Sequence, residues 1–320
     1  MNIKITLTFL IFFCYVLIYG SLGFSQEFLN LKSVSEGLPN VAEHLSEESF
    51  VKITAKRLKK AQVLWVNREL LEEMHIRTPL GELTDDFNEK ILDEWAYLIP
   101  QETDRPEDFL PKEKTFYADR YGGSGLGYSE GSGRAAGAGL FQIKGIGRTP
   151  LVSKVKETVK PKKLTLFGIF QYIWDRFVID NHNHGGATLR EAMAEAVWGE
   201  ILHKELPYGA NRVAFIIGTR RSIGLAKVPQ ALIVRENSLR PAHYIRNDNR
   251  PTGEEKDEET RIKKLIEPFS KLPIIAEDKS NKLGDRLNLL LKEIFDRVGR
   301  KYGTEYAHSF FHGSSSPSNI

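Results

Sequence analysis

Cysteine is almost absent from this chain: Cys14 is the single example among 320 residues. An internal disulfide and a thiolate metal site are therefore excluded, and with them the small disulfide scaffolds of secreted proteins. An excess of one charge is missing too. The 45 lysines and arginines face 42 aspartates and glutamates, a formal net charge of +3. So small an imbalance gives no electrostatic case for nucleic acid as a partner. The lysine-rich run Lys154 to Lys163 reads as a solvated surface. Long apolar runs are scarce, and the one that stands out is Ile5 to Tyr19. With Lys4 before it and the small residues Gly23 and Ser25 after it, it has the pattern of a secretory signal. It is short for a membrane span. Residues 1–25 are read as a signal peptide or membrane anchor, with attachment through residues 4–20. An exported location (periplasmic or secreted) or a membrane-anchored one follows, with the cytoplasm as the alternative.

What the chain concentrates is glycine. Ten of the 27 residues from Tyr121 to Gly147 are glycine. Ordering such a stretch costs conformational entropy, and the cost is justified where backbone must approach a ligand closely. Phosphate is the usual such ligand. The run contains Gly131, Gly133 and Arg134 and leads into Leu140 to Lys144, a strand-like segment ending in a cation. No Gly-Lys-Ser/Thr follows, so it is not a Walker loop. A flexible surface loop is the plain alternative.

Hydrophobic periodicity supplies the frame. Val63 to Asn67 reads as a strand, and Arg68 to Met74 as a turn or two of helix. Phe87, Ile91, Leu92, Trp95 and Leu98 recur at helical spacing, which predicts a helix over Phe87 to Leu98 ended by Pro100. Gln101 to Glu113 reads as a polar loop, and residues 26–50 as irregular. Leu164 to Ile179 is an apolar helix, and Ala187 to Leu202 is the best helix former in the chain. Arg212 to Thr219 and Gln230 to Arg235 are strands. Asp248 to Glu259 is polar and reads as a linker, followed by helices over Thr260 to Phe269 and Lys282 to Val298. The second carries a wide apolar stripe through Leu283, Leu287, Leu290, Leu291, Ile294, Phe295 and Val298. The predicted fold is α+β: a protein-kinase-like small lobe with an antiparallel sheet and regulatory helix, followed by an incomplete helical large lobe. The divisions are an N-terminal extension over 26–110, a nucleotide-binding lobe over 111–250, and a partial helical lobe with the start of a catalytic loop over 251–320.

Three constellations carry chemistry. Lys144 precedes a strong helix bearing Glu195. In kinase-like folds a strand lysine pairs with a helix glutamate, which holds it against nucleotide phosphates. Glu191 and Glu200 compete for the glutamate role. Arg240 and Arg246 bracket a short loop and are suited to clamp a phosphate bidentately, with ordinary surface arginines as the plain reading. His182 and His184 supply too few ligands for zinc and read as a turn or substrate loop. Near the end, His312-Gly313 opens a loop closed by Asn319, whose amide oxygen suits a metal. A general base there requires a carboxylate or histidine. Ser318 stands in its place, and serine unaided cannot serve.

These residues resemble the selenoprotein O family, kinase-like protein adenylyltransferases, over roughly residues 60 to 320. The most specific stretch is Gln142-Ile143-Lys144-Gly145-Ile146-Gly147-Arg148-Thr149-Pro150, similar to the family's Leu-Lys-Gly-Ala-Gly-Arg-Thr-Pro signature. Ser132-Gly133-Arg134-Ala135 looks like its Asp-Gly-Arg-Ala element, with serine for the aspartate. Leu189-Arg190 and Glu195 are similar to its regulatory helix, and Arg240 and Arg246 to its two phosphate-binding arginines. His312-Gly313 with Asn319 resembles its catalytic loop, with Ser318 replacing the loop aspartate. The resemblance implies ATP and Mg2+ as cofactors, with ATP bound in inverted orientation and AMP transferred to protein hydroxyls. It implies that Lys144 and Glu195 hold the phosphates, that Gly131, Gly133 and Arg134 belong to the cradle, and that Arg240 and Arg246 occupy the pocket an ordinary kinase leaves for adenine. Asn319 would be the magnesium ligand and, with Ser318, the catalytic-loop pair. The serine-rich tail also resembles the microcin-maturation relatives, which act with a partner protein in attaching a siderophore to a peptide.

Three function classes stand on these observations: an ATP-dependent adenylyltransferase with a protein or peptide substrate, a catalytically inactive nucleotide-binding pseudokinase, and a secreted structural or interaction protein. The phosphate-binding set favours the first two. Ser318, and a chain that stops before the family's second metal-binding aspartate, favour the second over the first.

Overall fold

A computed structural model describes residues 29–102, 104–122, 130–152, 184–206, 209–223, 227–246 and 255–270, with residues 292, 296, 299 and 300. Residues 1–25 with Cys14, the segment Leu164 to Ile179, His182, the stripe from Leu283 to Val298, His312, Gly313, Ser318 and Asn319 lie outside the described residues. Among the described residues no helix is long and apolar enough to cross a membrane.

The fold is α+β, a large antiparallel sheet with a few helices. Its strands are β1 (Phe50–Leu58), β2 (Gln62–Val66), β3 (Tyr97–Leu98), β4 (Phe109–Asp119), β5 (Ala135–Ala138), β6 (Phe141–Lys144), β7 (Ala187–Thr188), β8 (Val213–Ile223) and β9 (Val228–Glu236). In space they run β2-β8-β9-β6-β5-β4-β1-β3, with β7 also pairing with β9. The helices are α1 (Arg68–Glu73), α2 (Asp85–Trp95), α3 (Leu189–Glu205) and α4 (Glu255–Ser270).

Strand alternation divides the core between the two faces of the sheet. On β9, Ala231 and Ile233 face α3, where they meet Ala192 and Ala196 of the helix and Val213 and Ile216 of β8. Leu232 and Val234 face the other way, into the main core with Phe141, Phe215, Trp95 and Phe116. Helices α1 and α2 close that side through Leu70, Leu71, Phe87, Ile91 and Leu92. Phe141 stands at the centre, edge-on to Trp95 at 5.6 Å and to Phe215 at 6.1 Å.

Most elements fall where periodicity predicts, with ends shifted by a few residues. Three differences have physical causes. Strand β4 begins at Phe109, inside the stretch read as a polar loop, and β1 follows the irregular N-terminal stretch without having been predicted. Both carry charge on their solvent face: Lys56 pairs across the strands with Glu113 at 3.5 Å, while Ile53, Ala55, Phe116 and Ala118 are buried. The helix expected to reach Leu98 stops at Trp95, because Tyr97 and Leu98 pair with Arg57 and Lys56 as β3. Helix α4 begins at Glu255, within the stretch read as a linker. The division drawn at 110/111 falls inside β4, and strands from both sides of it share one sheet.

Replacing Phe141 by alanine removes a fully buried ring held by two aromatic edges. A loss of about 3–5 kcal/mol in urea unfolding is expected, with the slope of the transition unchanged.

Candidate functional site

The same alternation aims Lys144. Ile143 points into the main core, so its neighbour Lys144 must point to the opposite face, where α3 lies. Lys144 pairs in register with Ala135 of β5 and Ile233 of β9, which sets it near the middle of the sheet. Gly145 then turns the chain at φ +93°, and a Cβ there would lie 2.9 Å from the Ala187 nitrogen. That close approach brings the strand end against the start of α3. Thr188 caps this helix by accepting a hydrogen bond from the Glu191 N–H at 3.1 Å, and Glu191 in the first turn suits the helix dipole.

Five side chains then form a ladder of alternating charge. Arg134 donates to Glu191 through Nη2 at 2.9 Å and Nη1 at 3.2 Å, and to the Gly186 carbonyl at 3.1 Å. Glu191 lies 2.8 Å from Lys144 Nζ. Lys144 also donates to Glu195, one helical turn further on. Arg235 of β9 donates to the other oxygen of Glu195 at 3.2 Å. Two glutamates at this spacing repel on an isolated helix. Here a cation stands against each side of both. Burial alone would raise the Glu191 carboxyl, but Lys144 and Arg134 outweigh it and hold it at about 2. Burial works against Glu195 too, and Arg235 with Lys144 overcome it and lower its pKa. All five side chains stay partly accessible, with Lys144 at 15%. Three cations against two carboxylates leave one positive charge in excess. The Nε of Arg235 is buried and has no hydrogen-bond partner among the described residues.

A second cluster surrounds Asp119 at the end of β4. Asp119 accepts from Arg240 at 2.6 Å, from Ser132 Oγ at 2.5 Å, and from His243 Nε2 at 2.9 Å. The His243 tautomer follows from the backbone: Nδ1 accepts from the Arg240 N–H at 3.0 Å, so Nε2 carries the proton. Burial pushes the His243 pKa down, which favours this neutral form. Burial opposes the Asp119 charge, but Arg240 and His243 hold the carboxyl far below the usual range. Arg240 also lies over the Tyr121 ring, 4.4 Å from its centroid.

Glu200, the remaining candidate for the lysine partner, faces a third group. It accepts a bidentate pair from the fully buried Arg212 at 2.8 and 2.9 Å and a hydrogen bond from Asn67 at 2.6 Å. Glu73 of α1 completes the group, 2.6 Å from Arg212. This rivet fixes the C-terminal half of α3 to β8 and α1.

Of the residues singled out from the sequence, Lys144, Glu195 and Arg134 thus meet in one place. Gly131 bridges Arg120, and Gly133 accepts from the Thr149 N–H at 3.0 Å, so both brace the segment that carries Arg134. Arg240 sits with Asp119, while Arg246 is exposed at the far end of the turn Pro241–Tyr244. His184 closes a turn, its Nδ1 accepting from the Gly186 N–H at 2.9 Å. Among the described residues no group of three or more histidine, cysteine, aspartate or glutamate side chains could hold a metal. Arg235 and Asp119 were not singled out from the sequence. Arg235 closes the segment read as a strand, one residue before β9 ends at Glu236, and its parity with Ile233 places it on the α3 face. Asp119 carried no signal, since its strand went unrecognised.

No protein-family model and no curated protein matches this chain.

Glu191 supplies a pH test. Its folded pKa is depressed, so its contribution to stability is full above the ordinary carboxylate range and is lost as pH falls from about 4.5 toward about 2. Replacing it with glutamine should flatten the decline of the urea midpoint across that window and leave the midpoint near pH 7 lower than wild type.

Proposed function

We propose that this chain binds the phosphates of ATP at Arg134, Lys144 and Arg235, in a kinase-like small lobe related to the selenoprotein O adenylyltransferases. The observation that carries the reading is Lys144 on a strand end, bonded to Glu195 on a helix 51 residues away. A lysine held in this way is presented to a ligand with its position fixed before binding. The excess positive charge of the ladder, the partial exposure of its members and an Arg235 Nε without a partner among the described residues all suit an anion. The order of strands around α3, with the glycine run between β4 and β5 ahead of the lysine strand, supports the kinase-like assignment. The activity that follows is AMP transfer. A hydroxyl of a protein or peptide attacks the α-phosphorus, the hydroxyl proton goes to solvent or a base, and pyrophosphate leaves. Magnesium would balance charge on the leaving group. Asn319, its proposed ligand, lies outside the described residues.

A second reading is a nucleotide-binding protein without transferase activity. It is favoured by Ser318, which occupies the position of a carboxylate and cannot act as a base unaided.

Incubation with α-labelled ATP and magnesium separates the two. Under the first reading the wild type incorporates label into protein and Lys144→Ala does not. Under the second, neither is labelled and ATP still binds to the wild type. In both, Lys144→Ala should weaken ATP binding by about tenfold or more, the loss of one charge-assisted hydrogen bond. Absence of ATP binding by the wild type would remove both.

A further inference from the structure

Helix α4 holds an ion pair that is sealed from water. Glu258 and Arg261 stand three residues apart and each is 1% exposed. Glu258 accepts from Arg261 Nε at 2.9 Å and from Nη2 at 2.5 Å. The same guanidinium donates to two backbone carbonyls outside the helix, His243 at 2.7 Å and Ile245 at 2.9 Å. Removing two charges from water is costly, and a well-packed apolar pair in their place is often as stable. What an apolar pair cannot do is hold two carbonyl oxygens at fixed points.

Those carbonyls belong to the segment on which the glycine run is mounted. The Gly122 N–H donates to the Ala242 carbonyl at 2.9 Å. A Cβ on Gly122 would overlap the carbonyl oxygens of Ile245 and Arg246, so only glycine lets the two backbones meet. The other end of the run reaches the same turn through Asp119. Ser132 donates to Asp119 from both its N–H, to the carbonyl at 2.9 Å, and its hydroxyl. Asp119 in turn holds Arg240, which precedes the turn Pro241–Tyr244, and His243 within it. The first part of the glycine run, with its ends at Tyr121-Gly122 and Gly131-Ser132, is therefore fastened at both ends to one turn, and that turn is fastened to α4. The helix is itself seated on the N-terminal segment through Leu265, which packs with Val41 and Leu45.

We propose that Glu258 and Arg261 are positioning residues that set both ends of the glycine run relative to Lys144. The effect on nucleotide rests on the reading above; the effect on backbone protection does not. Hydrogen exchange of the Gly122 and Ser132 amides tests it, with ATP affinity measured alongside. Arg261→Met and Glu258→Gln should each speed exchange of both amides about tenfold or more, while Ile143 and Ile233 in the sheet keep wild-type protection. Arg261→Lys, which keeps the charge but loses the fork, should not restore it. ATP affinity should fall several-fold in the same variants, and Lys263→Ala on the exposed face of α4 should change neither. If the α4 variants unfold the whole chain, Gly122→Ala decides from the opposite side: coupling is reciprocal, so exchange of the Glu258 and Arg261 amides should quicken. Faster exchange confined to α4 in Arg261→Met, or unchanged α4 protection in Gly122→Ala, would overturn the proposal. So would unchanged ATP affinity with both ends loosened. A wild type that binds no ATP would defeat the nucleotide reading alone and leave the exchange result to stand on its own.

Discussion

The lysine between Glu191 and Glu195 is the interaction on which the site depends. An amino group at the end of a central strand and two carboxylates on the helix above it are each unfavourable in partial burial without the others. Together they force β6 and α3 into one relative position, because the alternating ladder closes only when strand register and helix rotation are both right. Arg134 and Arg235 extend it from opposite sides, one from the glycine segment and one from β9. Four separate parts of the chain are thereby tied to a single row of charges.

Such a row is useful only if its backbone does not yield. Two features supply stiffness. The small residues Ala192 and Ala196 let α3 lie close against β8 and β9, leaving little room for rotation. Arg212 then fixes the far half of the helix, with its guanidinium fully buried against Glu200 and Glu73. Deleting one member of such a group leaves a buried charge unpaired. The helix is therefore held at both ends by different charges, with the Lys144–Glu195 bond at one and the Arg212 group at the other.

How much of this was legible in the sequence depends on whether a residue's partner is set by local pattern or by topology. The strand ending in Lys144, the helix that follows it and the strands that became β8 and β9 are set by local pattern, and they were readable. So was the pairing of Lys144 with Glu195, through the resemblance of its surroundings to a kinase-like signature. The role of Glu191 was left open, because helical spacing places Glu191 and Glu195 on one face and cannot say which faces the lysine; in the structure both do. Strands β1 and β4 were hidden by charge. Lys52, Lys56, Lys112, Glu113 and Lys114 interrupt the apolar pattern, yet the first four sit on the solvent side and Lys114 pairs with Glu94 of α2 at 2.5 Å. Losing β4 also lost Asp119, whose importance lies in what Ser132, Arg240 and His243 bring to it from distant parts of the chain.

Asp119 also bears on how the arginines divide their work. A phosphate at Arg240 would have to compete with a carboxylate already held by that arginine, by a neutral histidine and by a serine hydroxyl. All three bonds favour the charged form of Asp119, and displacement would strip them while leaving the carboxylate buried. Arg134 and Lys144 face a milder competition, since Glu191 and Glu195 remain accessible to water and share their charge among three cations. An incoming anion can take up the excess positive charge of the ladder without expelling a carboxylate from a sealed site. Under the proposed function the ladder is therefore the better place for a phosphate, and Arg240, bonded to Asp119, holds the turn from which the glycine run departs.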